Sequence, residues 1–252
     1  MELTSINNPR VKGWIKLKEK KYRDREQKFL IEGAHLIEEA YRAGWLETLI
    51  VRQGITVPTE LNLPVYEVTN EIMKRLSTLS SGENVMGVCK ISENEAFRTD
   101  ITSWILLDGI QDPGNMGTIL RTALAFGIQR VILSKDCVDV YHDKVVRATQ
   151  GAIFHLSLQR TDLAAFIKVL EANQIPVFAT ALHDALPLQE MKIPARYALV
   201  FGNEGNGIRS NILTLCDQRI KIEMATFESL NVAVAAGIAM YYFQYQGGQM
   251  GE

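Results

Sequence analysis

The chain has 252 residues, 47% of them hydrophobic and 22% charged, with a net charge of −2 at pH 7. This composition fits a globular protein with one large or two medium domains. Three scattered cysteines and four histidines without metal-ligand spacing argue against a disulfide framework or a zinc site. Without a signal-peptide start or an apolar run long enough to span a bilayer, we expect a cytoplasmic protein that has no metal site and no membrane contact.

Positive charge is concentrated near the N-terminus. Nine Lys or Arg residues lie between Arg10 and Lys28, against three acids. The segment to about Gln27 is predicted to be one basic helix. Its apolar contacts are predicted to be Val11, Trp14, Ile15 and Leu17. Such a face can attract a polyanion, but a solvated helix face is an equally open interpretation of the charges alone.

Residues 1–92 are predicted to form a small α/β domain. Its predicted strands are Phe29–Ile31, Leu46–Val51, Val65–Val68 and Val85–Ile91. Its further predicted helices are Gly33–Ala43 and Asn70–Leu76. Residues 93–103 are polar, with no sustained apolar period, and we interpret them as a linker to a second domain at 104–252.

The second half alternates strand and helix patterns, which predicts a mostly parallel sheet with helices on both faces. The predicted strands are Trp104–Leu107, Arg130–Leu133, Val177–Ala181, Ala198–Phe201 and Arg219–Ile222. The predicted helices are Asn115–Phe126, Asp143–Gln150, Leu163–Ala172, Ile208–Leu215 and Leu230–Tyr245. In such sheets ligands bind at the carboxyl ends of the strands.

A glycine-rich turn, Gly202-Asn-Glu-Gly-Asn-Gly207, follows one of these strands. Glycines at the end of a buried strand allow the backbone to approach a ligand closely. One such turn is weak evidence, because glycine also serves turns for steric reasons alone. Two other segments, Asn115–Arg121 and Glu228–Val232, also follow predicted strands and strengthen the prediction of a site.

Several side chains in these segments could serve a site. Arg121 lies in an apolar helical stretch, so its side chain must reach either the surface or an anion. That anion could be a carboxylate of the protein, in a structural ion pair, or a phosphate or carboxylate of a ligand. Glu204 could hold a polar group of a ligand or pair with Arg121. Asn115 is a plausible N-cap of its helix. Ser229 and Asn231 precede the last helix, and either could cap its N-terminus; capping is the favoured interpretation for Ser229 alone.

The chain resembles the SpoU (TrmH-type) family of RNA ribose 2′-O-methyltransferases, within the SPOUT superfamily. The resemblance rests on Asn115-x-Gly117-x-x-x-Arg121, Phe201-Gly-Asn-Glu204-Gly-x-Gly207 and Glu228-Ser229-Leu-Asn231-Val. Around Ser5–Arg10, Phe29–Gly33 and Ser80–Val88, the first half is similar to the family's N-terminal substrate-binding domain, which is L30e-like.

The resemblance implies a SPOUT-type α/β catalytic domain with a C-terminal trefoil knot, S-adenosylmethionine as cofactor and a homodimer. The implied catalytic residues are Arg121, Asn115, Glu204, Ser229 and Asn231. The implied cofactor-binding residues are Gly202, Gly207, Ile222, Met224 and Leu230. One departure is the stretch Ile222–Phe227, where Glu223 replaces a proline that is common in the family and no glycine follows.

The implied substrate is a ribose 2′-hydroxyl in structured RNA, with 23S ribosomal RNA preferred over tRNA. We expect the basic helix to contribute Lys16, Lys20 and Arg23 to RNA binding. A non-catalytic RNA-binding or ribosome-assembly protein is an alternative. A dinucleotide-dependent oxidoreductase is disfavoured, because the glycine turn lies near the C-terminus and has the order G-x-x-G-x-G.

Overall fold

A computed structural model describes residues 1–56, 62–79, 82–91, 100–226 and 229–246 of the chain. The chain divides into two compact units. The first comprises Met1–Glu93 and Asp139–Phe154, and the second comprises Asn94–Val138 and His155–Glu252. Residues 93–99, which make up most of the predicted linker, lie outside the described residues.

The secondary structure elements of the described residues are numbered in chain order. The strands are β1 (Glu2–Leu3), β2 (Lys28–Glu32), β3 (Leu46–Arg52), β4 (Val65–Val68), β5 (Val85–Lys90), β6 (Ser103–Asp108), β7 (Arg130–Leu133), β8 (Ser157–Arg160), β9 (Val177–Thr180), β10 (Leu186–Pro187), β11 (Tyr197–Gly202) and β12 (Gln218–Lys221). The helices are α1 (Pro9–Lys16), α2 (Lys20–Glu26), α3 (Ala34–Arg42), α4 (Asn70–Leu76), α5 (Pro113–Ala125), α6 (Asp143–Thr149), α7 (Leu163–Ala172), α8 (Ser210–Leu213) and α9 (Val232–Tyr245).

The first unit contains a mixed sheet with the strand order β1-β4-β3-β5-β2. The pairs β1/β4 and β3/β4 are parallel, whereas β5 is antiparallel to both of its neighbours. The side chains that α1 and α4 turn inward, among them Val11, Trp14, Ile72 and Leu76, pack with sheet residues in one apolar core. The strands predicted here are confirmed within two residues at each end.

The basic N-terminal segment is not the single helix that the sequence predicted. It forms α1 and α2, which are separated by a turn at Leu17–Glu19. The guanidinium of Arg23 donates hydrogen bonds to the carbonyls of Leu17 and Lys18, at 2.8 Å each. Carbonyls at the end of a helix need such partners when water does not reach them, so Arg23 stabilises the break between the two helices.

The expectation that Arg23 contributes to an RNA-binding surface is therefore wrong. Its side chain is only 5% exposed and its Nη2 lies 2.5 Å from Asp139 Oδ2. Its Nε donates a second hydrogen bond to the same oxygen, at 3.0 Å. Removing one partner of a buried ion pair costs roughly 3–5 kcal/mol of stability, because the other charge stays buried and uncompensated.

Residues 139–154 belong to the first unit although they follow β7 in the chain. Tyr141 and Phe154 pack on Phe29, with ring centroids 4.8 and 6.4 Å away, and Phe154 also meets the edge of Trp45. Arg147 forms an ion pair with the buried carboxylate of Glu32 at 3.0 Å. These aromatic and charged contacts join the segment to the core of the first unit, a long-range association that local sequence patterns do not report.

The second unit contains a seven-stranded sheet in which every pair is parallel, with the order β10-β12-β9-β11-β6-β7-β8. All residues of β6 and β11 are buried, as expected for central strands of a parallel sheet flanked by helices. The fold class predicted from the sequence is confirmed. The half-buried β8 and the two-residue β10 were not predicted, because short strands near a sheet edge lack a continuous apolar run. The trefoil knot stays a prediction.

Within the described parts of the chain, no helix is both long enough and apolar enough to cross a bilayer.

Candidate active site

A cavity of about 440 Å³ lies in the second unit. It is lined by residues that follow the carboxyl ends of β9, β11 and β12 and by the start of α9. Of the ten predicted site residues, all but Arg121 line it: Asn115, Gly202, Glu204, Gly207, Ile222, Met224, Ser229, Leu230 and Asn231. The three motifs, separated by up to 116 residues in sequence, therefore meet at one place.

Glu204 joins the motifs through its carboxylate. Its Oε1 accepts hydrogen bonds from the backbone N–H of Asp112 at 3.0 Å and from Asn115 Nδ2 at 3.1 Å. Its Oε2 accepts one from the backbone N–H of Gln111 at 3.2 Å. Asn115 Oδ1 in turn accepts a hydrogen bond from Asn231 Nδ2 at 2.9 Å. The result is a chain of hydrogen bonds from the glycine turn through α5 to α9.

The hydrogen bonds also decide the charge of Glu204. Burial raises the pKa of this carboxyl, but the hydrogen bonds from Asn115 and from the amides of Asp112 and Gln111 outweigh burial and hold the pKa below its ordinary value. Glu204 is therefore ionised at neutral pH, and its contribution to stability is lost only when acid protonates it. An ionised carboxylate whose oxygens already accept hydrogen bonds is suited to anchor the loop rather than to transfer a proton.

The structure corrects the predicted helix caps. Asp112, not Asn115, is the N-cap of α5, because its Oδ1 accepts the backbone N–H of Asn115 at 2.8 Å. The side chain of Asn115 is thereby free to bridge Glu204 and Asn231. At α9 the cap is Asn231, whose Oδ1 accepts the N–H of Ala233 at 2.9 Å. The capping role favoured for Ser229 is wrong, and this residue is instead exposed at the cavity.

Arg121 is exposed on α5 and does not line the cavity. The prediction of a structural carboxylate partner, including Glu204, is not supported, because no ion pair or hydrogen bond of its guanidinium occurs among the described residues. An exposed guanidinium without a partner keeps its donors available for an external anion.

Two glycines of the turn are required by the conformation of the turn itself. A Cβ on Gly202 would lie 2.2 Å from the backbone of Gly207 and Ile208, so the turn folds back onto this residue. Gly207 has a φ of +68°, which disfavours a side chain. Asn203 Oδ1 accepts the N–H groups of Gly205 and Asn206 at 3.0 Å each. Glycine is thus required here by backbone packing within the turn, and not only by ligand approach.

Sequence reasoning missed the pairing of Asp108 and Arg209. Asp108 ends β6, its side chain is fully buried, and it accepts hydrogen bonds from Arg209 N at 2.9 Å and from Arg209 Nε at 2.8 Å. Hydrogen bonding to Asp108 raises the pKa of Arg209, which stays charged. The sequence feature that could have indicated this pair is a carboxylate at the end of a largely apolar strand, because a buried charge requires a partner.

The cavity suits a nucleoside-sized ligand of low charge. Apolar side chains, including Leu182, Ile220 and Met224, form much of its lining, and its only charged lining residues among those described are Glu204 and Lys221. Its volume falls within the range of about 300–1,000 Å³ that is usual for small-molecule sites. Among the described residues, no group of three or more His, Cys, Asp or Glu could hold a metal ion.

Comparison with known proteins gives two family matches. Residues 103–241 match the SpoU rRNA Methylase family. Residues 8–87 match the MRM3-like substrate binding domain. Among curated proteins, the 23S rRNA (guanosine(2553)-2′-O)-methyltransferase RlmP of Bacillus subtilis is 33% identical over 247 residues, which cover 96% of this chain and 99% of that protein.

Two solved structures with bound cofactor are similar over nearly the whole chain. The AdoMet-bound rRNA methyltransferase from Sinorhizobium meliloti has a TM-score of 0.86 at 28% identity, covering 98% of each chain. The SpoU methyltransferase AviRb from Streptomyces viridochromogenes, in complex with AdoMet, has a TM-score of 0.85 at 26% identity, covering 95% of this chain and 98% of that one.

These similarities, together with a cavity framed by the three motifs, make the chain an RNA ribose 2′-O-methyltransferase that uses S-adenosylmethionine. The chain belongs to the SpoU rRNA Methylase family, whose match spans more than half of its residues.

Replacement of Gly202 by alanine should weaken S-adenosylmethionine binding by ten-fold or more. The new Cβ would collide with backbone atoms that cannot yield without moving the turn. Gly205→Ala is the matched control, because the nearest atom to a Cβ there is Asn203 Oδ1 at 3.7 Å. Isothermal titration calorimetry measures both affinities. Wild-type affinity in Gly202→Ala would contradict the importance of this backbone packing.

Proposed function

We propose that the RNA methylated by this chain is 23S ribosomal RNA. The observation that carries the proposal is the similarity to RlmP over nearly the full length of both proteins, because it includes the half that matches a substrate-binding domain. Residues 1–92 would then be the L30e-like domain that binds RNA, and 104–252 the methyltransferase domain. We also propose a cytoplasmic location, where ribosomal RNA is available.

The glycine turn and the segment after β12 would hold the cofactor. Gly202 and Gly207 shape the turn, while Ile222, Met224 and Leu230 supply backbone and apolar surface to the lining. When bound, S-adenosylmethionine supplies a methyl group on a positively charged sulfur. The low charge of the lining suits this cofactor, which carries no phosphate.

We propose that the polar side chains of Ser229, Asn115 and Asn231 orient the ribose. Ser229 is exposed at the cavity, and Asn115 and Asn231 are held by the hydrogen bonds that lead to Glu204. The leaving group of the reaction is already good, so the protein's main task is to place the 2′-hydroxyl in line with the methyl group. Because hydrogen bonds already hold Asn115 and Asn231 in place, ordering the ribose against them would cost less conformational entropy.

We assign Arg121 to the RNA phosphate next to the reacting ribose. A guanidinium stays protonated in proteins, so Arg121 is not a conventional general base. Its planar, forked donors match two phosphate oxygens, and its exposure leaves them available. Phosphate binding would orient the 2′-hydroxyl, whose proton would leave to that phosphate or to water.

We further propose that the methyltransferase domain forms a homodimer. On α9, Val234, Ile238, Tyr241 and Tyr245 are 39–52% exposed and recur at intervals of four, three and four residues, so they form one apolar stripe. The resemblance to the family implies a homodimer, and we propose that a second copy of the chain covers this stripe. Sedimentation showing only monomer at micromolar concentrations would refute the dimer.

Mapping of ribose methylation tests the substrate directly. We expect one 2′-O-methylated position in 23S ribosomal RNA to disappear from cells that lack the gene and to return on complementation. Purified protein with S-adenosylmethionine should restore the same methyl group in RNA from the deleted strain. A lost position in tRNA would instead establish the tRNA alternative. No lost position and no S-adenosylmethionine binding would support a non-catalytic RNA-binding protein.

Arg121→Lys should lower the methylation rate at least ten-fold, while RNA affinity changes much less. Lysine keeps the positive charge but loses the forked geometry that would orient the phosphate. Single-turnover kinetics at saturating RNA separate the two effects. Near-normal turnover with intact RNA binding would show that the guanidinium geometry does not matter.

A further inference from the structure

The basic residues of the N-terminal segment differ in their partners, in a way that the sequence did not reveal. In α2, each exposed cation has an acidic partner: Lys20 pairs with Asp24 at 2.5 Å, Lys21 with Glu19 at 2.8 Å and Arg25 with Glu26 at 2.7 Å. The charge of these residues is therefore locally compensated.

Two further cations are already engaged within the first unit. Arg23 is buried against Asp139. Lys18 Nζ donates hydrogen bonds to the carbonyls of Arg75 and Ser77, at 2.6 and 3.0 Å. Both side chains are therefore held by groups of the protein itself.

The cations of α1 differ. This helix, with the sequence PRVKGWIK, contains no acidic residue. Arg10, Lys12 and Lys16 are exposed, and none of them forms an ion pair among the described residues. Arg10 lies over the ring of Tyr66, 4.7 Å from its centroid, and Lys16 lies 5.4 Å from that of Tyr22. These three residues are called the α1 basic strip below.

Gly13 lies in the middle of this strip. Arg10 and Lys16 are each three residues away from it, so they are its neighbours on the helix surface. A Cβ on Gly13 would meet no atom within 4 Å, so packing within the protein does not require a glycine there. Glycine weakens a helix interior, and one use that offsets the loss is close approach of a ligand to the backbone.

We propose that the α1 basic strip binds phosphates of the substrate RNA, with Gly13 as a notch that lets the RNA backbone lie against the helix. The inference rests on the proposed function and specifies which surface of the substrate-binding half contacts RNA. Uncompensated cations displace condensed counterions from RNA, whereas cations with an acidic neighbour gain less from a phosphate. Lys20 and Arg23, which the sequence assigned to RNA binding with Lys16, are excluded from this surface.

Two triple variants of the full chain test the strip. Arg10→Ala/Lys12→Ala/Lys16→Ala removes its charges, and Lys20→Ala/Lys21→Ala/Arg25→Ala removes the same number of compensated charges. Filter binding to in vitro transcribed 23S ribosomal RNA, between 50 and 250 mM KCl, gives the salt dependence of affinity. The strip variant should lose about 2 to 3 units of the log–log slope and bind roughly ten-fold or more weakly at 150 mM salt.

The control variant should change the slope by less than one unit. Equal weakening by both triples would overturn the proposal, because only total charge would then matter. S-adenosylmethionine affinity, measured for every variant, shows whether the methyltransferase half is intact. Methylation of the RNA by the wild-type protein tests the proposed function separately. An incorrect function and an incorrect RNA-binding surface would therefore give different results.

Gly13→Ala tests the notch. Alanine stabilises a helix interior relative to glycine, so the thermal unfolding midpoint of the variant should rise. RNA binding should nevertheless weaken three-fold or more, because the new methyl group holds the RNA backbone away from the helix. A stabilised variant that binds RNA like the wild type would overturn the role of Gly13.

Discussion

The Glu204 carboxylate is the constraint on which the site depends. Through two oxygens it binds backbone amides before α5 and the amide of Asn115, and through Asn115 it reaches the N-cap of α9. These contacts connect the glycine turn with two helices that are distant in sequence. Because the hydrogen bonds hold the pKa of Glu204 below its usual range, the anchor keeps its charge at neutral pH. Hydrogen bonds therefore fix the positions of the polar side chains of Glu204, Asn115 and Asn231 in the cavity lining.

Other contacts act on the same turn. Asp108, buried at the end of β6, holds the backbone N–H and the side chain of Arg209 just beyond it. Gly202 permits Gly207 and Ile208 to fold back on the strand, at a distance that no Cβ would allow. The parallel sheet supplies the rigid frame, since β6 and β11 are neighbours and buried along their whole length. Together these contacts connect the wall of the cavity to the core of the second unit.

Much of this could be predicted, for physical reasons. Continuous apolar runs such as Trp104–Leu107 identify buried parallel strands. The resemblance to the family implied ten site residues, and nine of them line one cavity. The predictions that proved wrong concern residues whose partners are set by the tertiary structure. The compensation of Lys20 by Asp24 and the burial of Arg23 against Asp139 cannot be read from charge counts. The cap of α5 was assigned to Asn115 instead of Asp112, and capping of α9 was favoured for Ser229 although Asn231 is the cap. Several adjacent polar residues can cap a helix, and tertiary contacts select among them.

The most direct test of this account is methyl transfer by Glu204→Gln. Glutamine has nearly the same shape, but its amide places N–H groups against the backbone N–H donors of Gln111 or Asp112, so the connection should break without loss of the fold. Single-turnover transfer from S-adenosylmethionine to 23S ribosomal RNA should fall at least ten-fold, while RNA affinity stays at the wild-type value. A wild-type transfer rate in Glu204→Gln would contradict the claim that this carboxylate assembles the site.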